Sequence, residues 1–455
     1  MTGVSRAFVR TALAPPEPAP RVLGSAIGRL GRSLFASPLN VLMTFLSAAV
    51  IALVLPPFVR FLILDATWEG TSRDDCLPNA GACWPFIWAK IGQFIYGFYP
   101  AAERWRPNIV FALGAILLVP LLIPSAPWKR INSLLFFAIY PVISFVLLTG
   151  GNLDLRAFLL GHIIGWPAIA GFGVFAGLHW IFWSDFVASA AIVTLIVLGA
   201  GAILGSAVRS ILFVMLTLFA TLGAVLLVSD LDFGLRSVET RLWGGLLVTM
   251  VVAVTGIVVS LPLGILLALG RRSELPVVRL LSIIFIEFWR GVPVITVLFF
   301  ATYMLPLFLP RGLSFDTLLR VLVGVALFSA AYMAEVVRGG LQSIRRGQYE
   351  AANALGLGYW RTMSLVILPQ ALALVVPGIV NNFIGLFKDT TLVLIVAIFD
   401  LLGQLRASFS DPNWSTPATL YTGFAFAGMI YFTFCFAMSR YALFVERRVD
   451  VSGRG

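Results

Sequence analysis

The chain has 455 residues, of which 60% are hydrophobic and 12% charged, and its net charge is +11; the mean hydropathy is +0.97. Soluble folds carry about 45–50% apolar and about 25% charged residues, so a soluble enzyme or a nucleic-acid-binding module is excluded. Apolar runs long enough to cross a bilayer recur along the chain, which therefore reads as an all-α membrane protein whose domains are bundles of spans.

Residues 1–38 are basic (Arg6, Arg10, Arg21, Arg29, Arg32) and Pro-rich at Pro15-Pro16-Glu17-Pro18. They read as a cytoplasmic tail with no signal peptide. Ten spans are expected near 39–64, 108–125, 131–149, 186–208, 211–228, 243–269, 293–309, 318–338, 372–399 and 418–438. The tail, Lys129-Arg130, Arg209, Arg271-Arg272, Arg345-Arg346 and Arg447-Arg448 then fall on one side. Lys and Arg collect in the cytoplasm, so both termini, including the short tail 446–455, are expected there.

The loop 65–107 is expected on the outside and holds Cys76 and Cys83, separated by six residues. An oxidising compartment makes a disulfide plausible, with two unpaired thiols as the alternative. Residues 157–183 are apolar enough to span, but counting them would invert everything downstream. Their glycines and His162, Trp166, Pro167, His179, Trp180 and Trp183 suit an interfacial or re-entrant stretch. The pairs Gly161/Gly165, Gly173/Gly177 and Gly201/Gly205 are weak small-residue packing signals. Cys435, inside the last span, reads as a packing residue. The two histidines lack metal-ligand spacing and are not expected to bind metal.

Residues 339–369 are more polar than their surroundings and lie on the cytoplasmic side. Gln348 to Leu355 are good helix formers between Gly347 and Gly356, where a helix would start and stop. Ala351, Ala352 and Ala354 offer a narrow surface that another protein can approach, and Glu350 suits the positive end of the helix dipole. Further on, Lys388 and Asp389 interrupt an apolar run. Ionisable groups at bilayer depth face a cavity or a partner, or pin a helix break. With Glu335, Asn382 and Thr390 they are candidate residues of a polar pathway through the membrane. Arg290 is expected to anchor a helix end. No phosphate-binding loop is present, so this chain is expected to hold no cofactor of its own.

Glu350-Ala351-Ala352, then Gly356 after three residues, then Val366-Ile367-Leu368-Pro369 after nine more, resembles the EAA loop of binding-protein-dependent ABC permeases, with Val366 where Ile is usual. Arg290-Gly291-Val292-Pro293, Ala334-Glu335-Val336-Val337-Arg338-Gly339-Gly340, Leu368-Pro369-Gln370-Ala371 and Lys388-Asp389-Thr390-Thr391-Leu392 resemble the polar-amino-acid (HisMQ-like) branch. Residues 68–106, with Gly81-Ala82-Cys83-Trp84 and Tyr96-Gly97-Phe98-Tyr99-Pro100, are similar to the M-type permease of general L-amino-acid transport systems.

The resemblance implies a MetI-like type I ABC importer core at 243–445, preceded by a transmembrane extension at 39–242 with an inserted segment at 154–235. It implies a non-catalytic permease for polar or broad-range L-amino acids in the bacterial inner membrane. Glu350, Ala351, Ala352, Leu355 and Gly356 would contact the ATPase. The implied partners are two ATP-binding ABC subunits, a homologous second permease forming a heterodimer, a periplasmic amino-acid-binding protein and membrane lipid, with no nucleic acid. The alternatives are a permease restricted to one amino acid, such as glutamate or arginine, and an ion-coupled secondary transporter.

Overall fold

The computed structural model describes residues 31, 34–77, 81–123, 125–151, 180–199, 208–308 and 316–452, and it is helical with only isolated β-bridges among them. The tail before residue 31, His162, His179, most of segment 157–183 and the three small-residue pairs, apart from their flanks, lie outside the described residues. The chain divides into two units, Met1–Pro85 and Phe86–Gly455.

In the first unit, α1 (Pro38–Val59) starts on Ser37, whose hydroxyl accepts from Asn40 N at 3.2 Å, with Pro38 in the first turn. That combination satisfies an orphan donor and uses proline where no N–H is needed. Pro56 and Pro57 remove two ladder bonds, and the helix widens into a π turn at Arg60–Leu64. The following loop folds back on this end: Trp84 Nε1 donates to Leu62 O at 2.9 Å, and the Trp68 and Trp84 rings stack 5.6 Å apart. Cys76 and Cys83 form a disulfide with Cα atoms 5.6 Å apart. Backbone N–H groups of Thr71 and Ser72 donate to Asp75 and hold its carboxyl below the usual range.

The second unit opens inside α2 (Trp84–Tyr96), a short helix that hydropathy did not announce. That helix is followed by α3 (Trp105–Leu122), α4 (Ile131–Thr149), α5 (Trp180–Gly199) and α6 (Val208–Asp230). Tyr99 donates to Leu148 O at 3.0 Å. Arg106, 1% exposed, pairs with Glu103 at 2.7 Å and donates to Arg236 O, so it ties the start of α3 to the segment leading into the core. The core comprises α7 (Gly245–Arg271), α8 (Pro276–Gly291), α9 (Val294–Phe308) and α10 (Thr317–Ser343). It continues with α11 (Arg346–Ala354), α12 (Val376–Asp389), α13 (Leu401–Ser408) and α14 (Pro417–Ser452).

Lipid tails are as apolar as leucine, so burial alone does not hold such helices together and small residues must allow close packing. A Cβ on Gly264 would meet Met333 Cβ at 2.7 Å, and one on Gly256 would meet Leu386 at 2.7 Å. One on Gly340 would meet Ala371 O at 2.5 Å. These three glycines set the approach of α7 to α10 and α12, and of α10 to the segment before α12.

Eight helices of the described residues are long and apolar enough to cross a membrane, and the bent pair α8–α9 makes a ninth. The expected spans fall on helices with shifted ends: the second runs over 101–122, not 108–125, the fourth is described only as far as Gly199, and the fifth, expected at 211–228, lies on α6, whose apolar stretch Met215–Val228 is not among the eight. Between 269 and 293 no helix was expected, yet α8 is there, turning into α9 through 104°. Its length of 16 residues is too short to span, and Pro293 forces the break by keeping Val292 extended. The chain after α11 was expected to become a span only at 372. Helical backbone in fact resumes at Tyr359–Thr362, passes a π turn at Met363–Ile367, and breaks again at Val375 before α12.

The purified chain, denatured without reductant, should expose one reactive thiol, Cys435, and three after reduction. A titration giving three thiols before reduction would contradict the bridge.

Candidate functional site

The loop after α10 is a helix seated on its own chain. α11 begins at Arg346, two residues before the expected start, and ends with Gly356 N–H donating to Asn353 O at 2.9 Å and Leu357 N–H to Ala352 O at 3.2 Å. This crossed pair is a Schellman cap, which requires a left-handed residue, and Gly356 sits at φ +70. Nothing lies within 4 Å of the place a Cβ would take, so the constraint at Gly356 comes from backbone sterics and not from space.

Glu350, Ala351, Leu355 and Gly356 are exposed, Leu355 at 79%. Ala352 is not. It is 3% exposed and turned into its own chain, which corrects the expectation that it presents itself to another subunit. Helical phase explains this: Ala351 and Leu355, four apart, share one face, while Ala352 points to the side that packs.

Tyr349 supplies the other anchor. Arg272 Nη1 donates to Tyr349 Oη at 3.1 Å and to Leu341 O at 3.1 Å, with its guanidinium 5.6 Å from the Tyr349 ring centroid. Arg272 directly follows the last residue of α7. That residue, Arg271, reaches Glu335 at 2.9 Å and Glu287 at 2.8 Å. Arg338 closes on Glu335 at 2.7 Å from one turn away, and Arg290 stands 3.7 Å off with its guanidinium over Tyr332. The ends of α7, α8 and α10 thus meet in a cluster of three guanidinium groups and two carboxylates, joined through Arg272 to α11.

The candidate pathway residues do not gather at one point. Val337 packs in the same cluster as Ile379, whereas Val325 packs with Leu386 and Val393. Glu335 therefore belongs to the level of Val337 and Ile379, and Lys388 to that of Val325 and Leu386. The Glu335 oxygens are taken by arginines. Lys388 is exposed and Asp389 half-buried where α12 tightens into the 3₁₀ turn Thr390–Val396. Thr390, 1% exposed, donates to Phe387 O at 2.8 Å within its own helix. The Asn382 side-chain nitrogen is enclosed with no hydrogen-bond partner.

Sequence reasoning missed Arg271, Arg272, Glu287 and Tyr349 as site residues. Only the Glu335–Arg338 spacing of three carried a local signal, since residues three apart on a helix are neighbours.

Replacing Arg272 by Ala should quicken amide exchange over 346–354 by about fivefold, the equivalent of one lost hydrogen bond. Unchanged exchange would mean that Tyr349 does not anchor α11.

A family model described as binding-protein-dependent transport system inner membrane component matches residues 260–451. The chain is 41% identical over 436 residues to the inner membrane amino-acid ABC transporter permease protein YhdY of Escherichia coli (strain K12), covering 96% of each. It is 40% identical over 466 residues to the glutamate/glutamine/aspartate/asparagine transport system permease protein BztC of Rhodobacter capsulatus, covering 97% of this chain and 98% of that one. A crystal structure of an amino acid ABC transporter with histidines is 27% identical over 45% of this chain and 92% of its own, with a TM-score of 0.40.

Proposed function

The chain belongs to the amino-acid ABC transporter permeases, and on that premise we propose that it is one of two permeases in an importer powered by a pair of ATP-binding subunits. The match over nearly the whole of an amino-acid permease, at 41% identity, carries the reading. A permease of this kind has no catalytic group of its own; ATP and Mg belong to the partner.

The exposed side of α11, with Glu350, Ala351, Leu355 and Gly356, is the docking face for the ATP-binding subunit on the cytoplasmic side, where both termini also lie. Ala352 and Tyr349 seat that face on the permease. When the ATP-binding dimer closes, α11 passes the displacement through Arg272 to the ends of α7, α8 and α10. Such a ligand can shift the membrane domain only by favouring one of its states.

The substrate path runs between this chain and a homologous second permease, fed by a periplasmic amino-acid-binding protein. Lys388, Asp389 and Asn382 line it, while Thr390 supports the helix and Glu335 holds the cytoplasmic ends. The cargo is a set of polar L-amino acids. BztC is named for glutamate, glutamine, aspartate and asparagine, and these four are the first expected here.

Uptake of labelled glutamate into proteoliposomes holding the assembled complex, challenged with each of the twenty amino acids, tests the cargo. Competition by all four polar acids and amides is expected; a single competitor would establish a one-substrate permease, and uptake without ATP a secondary transporter. Gly356→Val places a β-branched residue at φ +70, a strain of at least about 1–2 kcal/mol. It should abolish uptake and loosen the ATP-binding subunit on purification. Ala352→Asp should do the same by burying an unpaired charge. Wild-type assembly and uptake in both variants would sink the docking assignment. Asp389→Asn should lower uptake at unchanged assembly.

A further inference from the structure

The end of α7 away from α11 is met by the hairpin 397–416, which carries α13: Gly245 N–H donates to Phe399 O at 2.9 Å. Asp400, a fully buried carboxylate, caps α13 by accepting from Gly403 N at 2.9 Å and from Leu402 N at 3.3 Å, and it also accepts from Tyr431 Oη at 3.0 Å. Thr249 of α7 accepts from Leu401 N at 3.0 Å. The hairpin is therefore fastened to α7 and α14.

A further element holds it. Lys90 of α2 meets Asp411 at 2.5 Å, with side chains 25% and 20% exposed. Gln93 Nε2 donates to Gln404 Oε1 at 3.1 Å across 311 residues of sequence, and Gln404 is 1% exposed. Phe86 packs against Phe409 and Trp414 with centroids 6.4 Å away, and Phe94 against Phe426 at 5.9 Å. At the end of α2 the backbones touch. Gly97 (φ +67) and Gly245 (φ +64) are both left-handed; a Cβ on the first would lie 2.5 Å from Gly244 Cα, and one on the second 2.1 Å from Phe94 O. Only glycine fits at such an approach.

We propose that α2 is a clamp for the hairpin 397–416. Lys90 and Gln93 are positioning residues that make α2, α13 and the first turn of α7 one rigid body. The extension preceding the core thus takes part in transport by fixing the face on which the delivering protein docks. This rests on the importer reading. The pairing has an electrostatic signature: the Lys90 ammonium and the Asn413 N–H hold the Asp411 carboxyl below the usual range. A lowered folded-state value means that the link is intact above the ordinary carboxylate range and is lost as pH falls through that lowered value.

The test uses the assembled complex in proteoliposomes with its amino-acid-binding protein, comparing wild type, Lys90→Glu, Asp411→Lys and the double exchange. Each single change should raise the binding-protein concentration that half-saturates uptake by about threefold or more, the scale of one partly exposed ion pair. The double exchange should return it to the wild-type value, which a general folding defect would not do. Lys90→Gln, which removes only the charge, guards against misfolding of the reversal variants. Unchanged half-saturation in Lys90→Glu, Asp411→Lys and Lys90→Gln overturns the clamp, as does failure of the double exchange to restore it when the singles assemble. Wild-type complex that does not import at all would instead refute the importer reading.

Discussion

The carboxylate of Glu335 is the point on which the α11 end of the core depends. A carboxylate taken out of water needs partners, and three guanidinium groups converging at the ends of α7, α8 and α10 would repel one another. Glu335 removes both problems. It accepts from Arg338 through both carboxylate oxygens and from Arg271 on a separate helix, with Arg290 beyond. Guanidinium groups suit this role because their planar donors match a carboxylate and stay charged. The consequence is mechanical: α7, α8 and α10 cannot part at this end without separating charges.

The opposite end of the core is held by another kind of physics. There the close contacts are between backbones at Gly97, Gly244 and Gly245, with Asp400 buried and satisfied by backbone N–H groups and Tyr431. A buried polar group whose bonds are all made rigidifies its surroundings. One end of the core is thus an ionic cluster of long side chains, and the other a seam of glycines and helix caps. The long side chains can exchange partners over several ångströms, whereas the glycine seam cannot shift without backbone clash.

Between the ends the helices depart from ideal geometry at several places. π turns occupy Phe300–Met304 and Met363–Ile367, and α12 passes into a 3₁₀ turn at Thr390–Val396. Wide turns leave carbonyls without ladder partners, which hydrocarbon does not forgive. Arg320 answers one of these by donating to the carbonyls of Ala301 and Thr302 inside the first π turn, while its other end reaches Thr317. The irregular backbone is therefore fixed in place by a specific side chain.

Hydropathy is a local property, and it located most of the membrane segments: α4 was legible to the residue, α7 within two, and α1 within two once its π turn Arg60–Leu64 is included. The Glu350–Gly356 pattern located α11 and its left-handed stop for the same reason, since a Schellman cap is written in consecutive residues. Two amphipathic helices, α2 and α8, escaped notice because they are too short to span and carry polar residues among the apolar ones. The direction in which Ala352 points, the partners of Glu335 and the grip of α2 on α13 are of another kind. They join residues 64, 77 and 311 positions apart, and depend on the rotation and depth of one helix against another. No run of neighbouring residues encodes those two quantities; they are set when glycines decide how closely the helices approach and charges must find one another out of water.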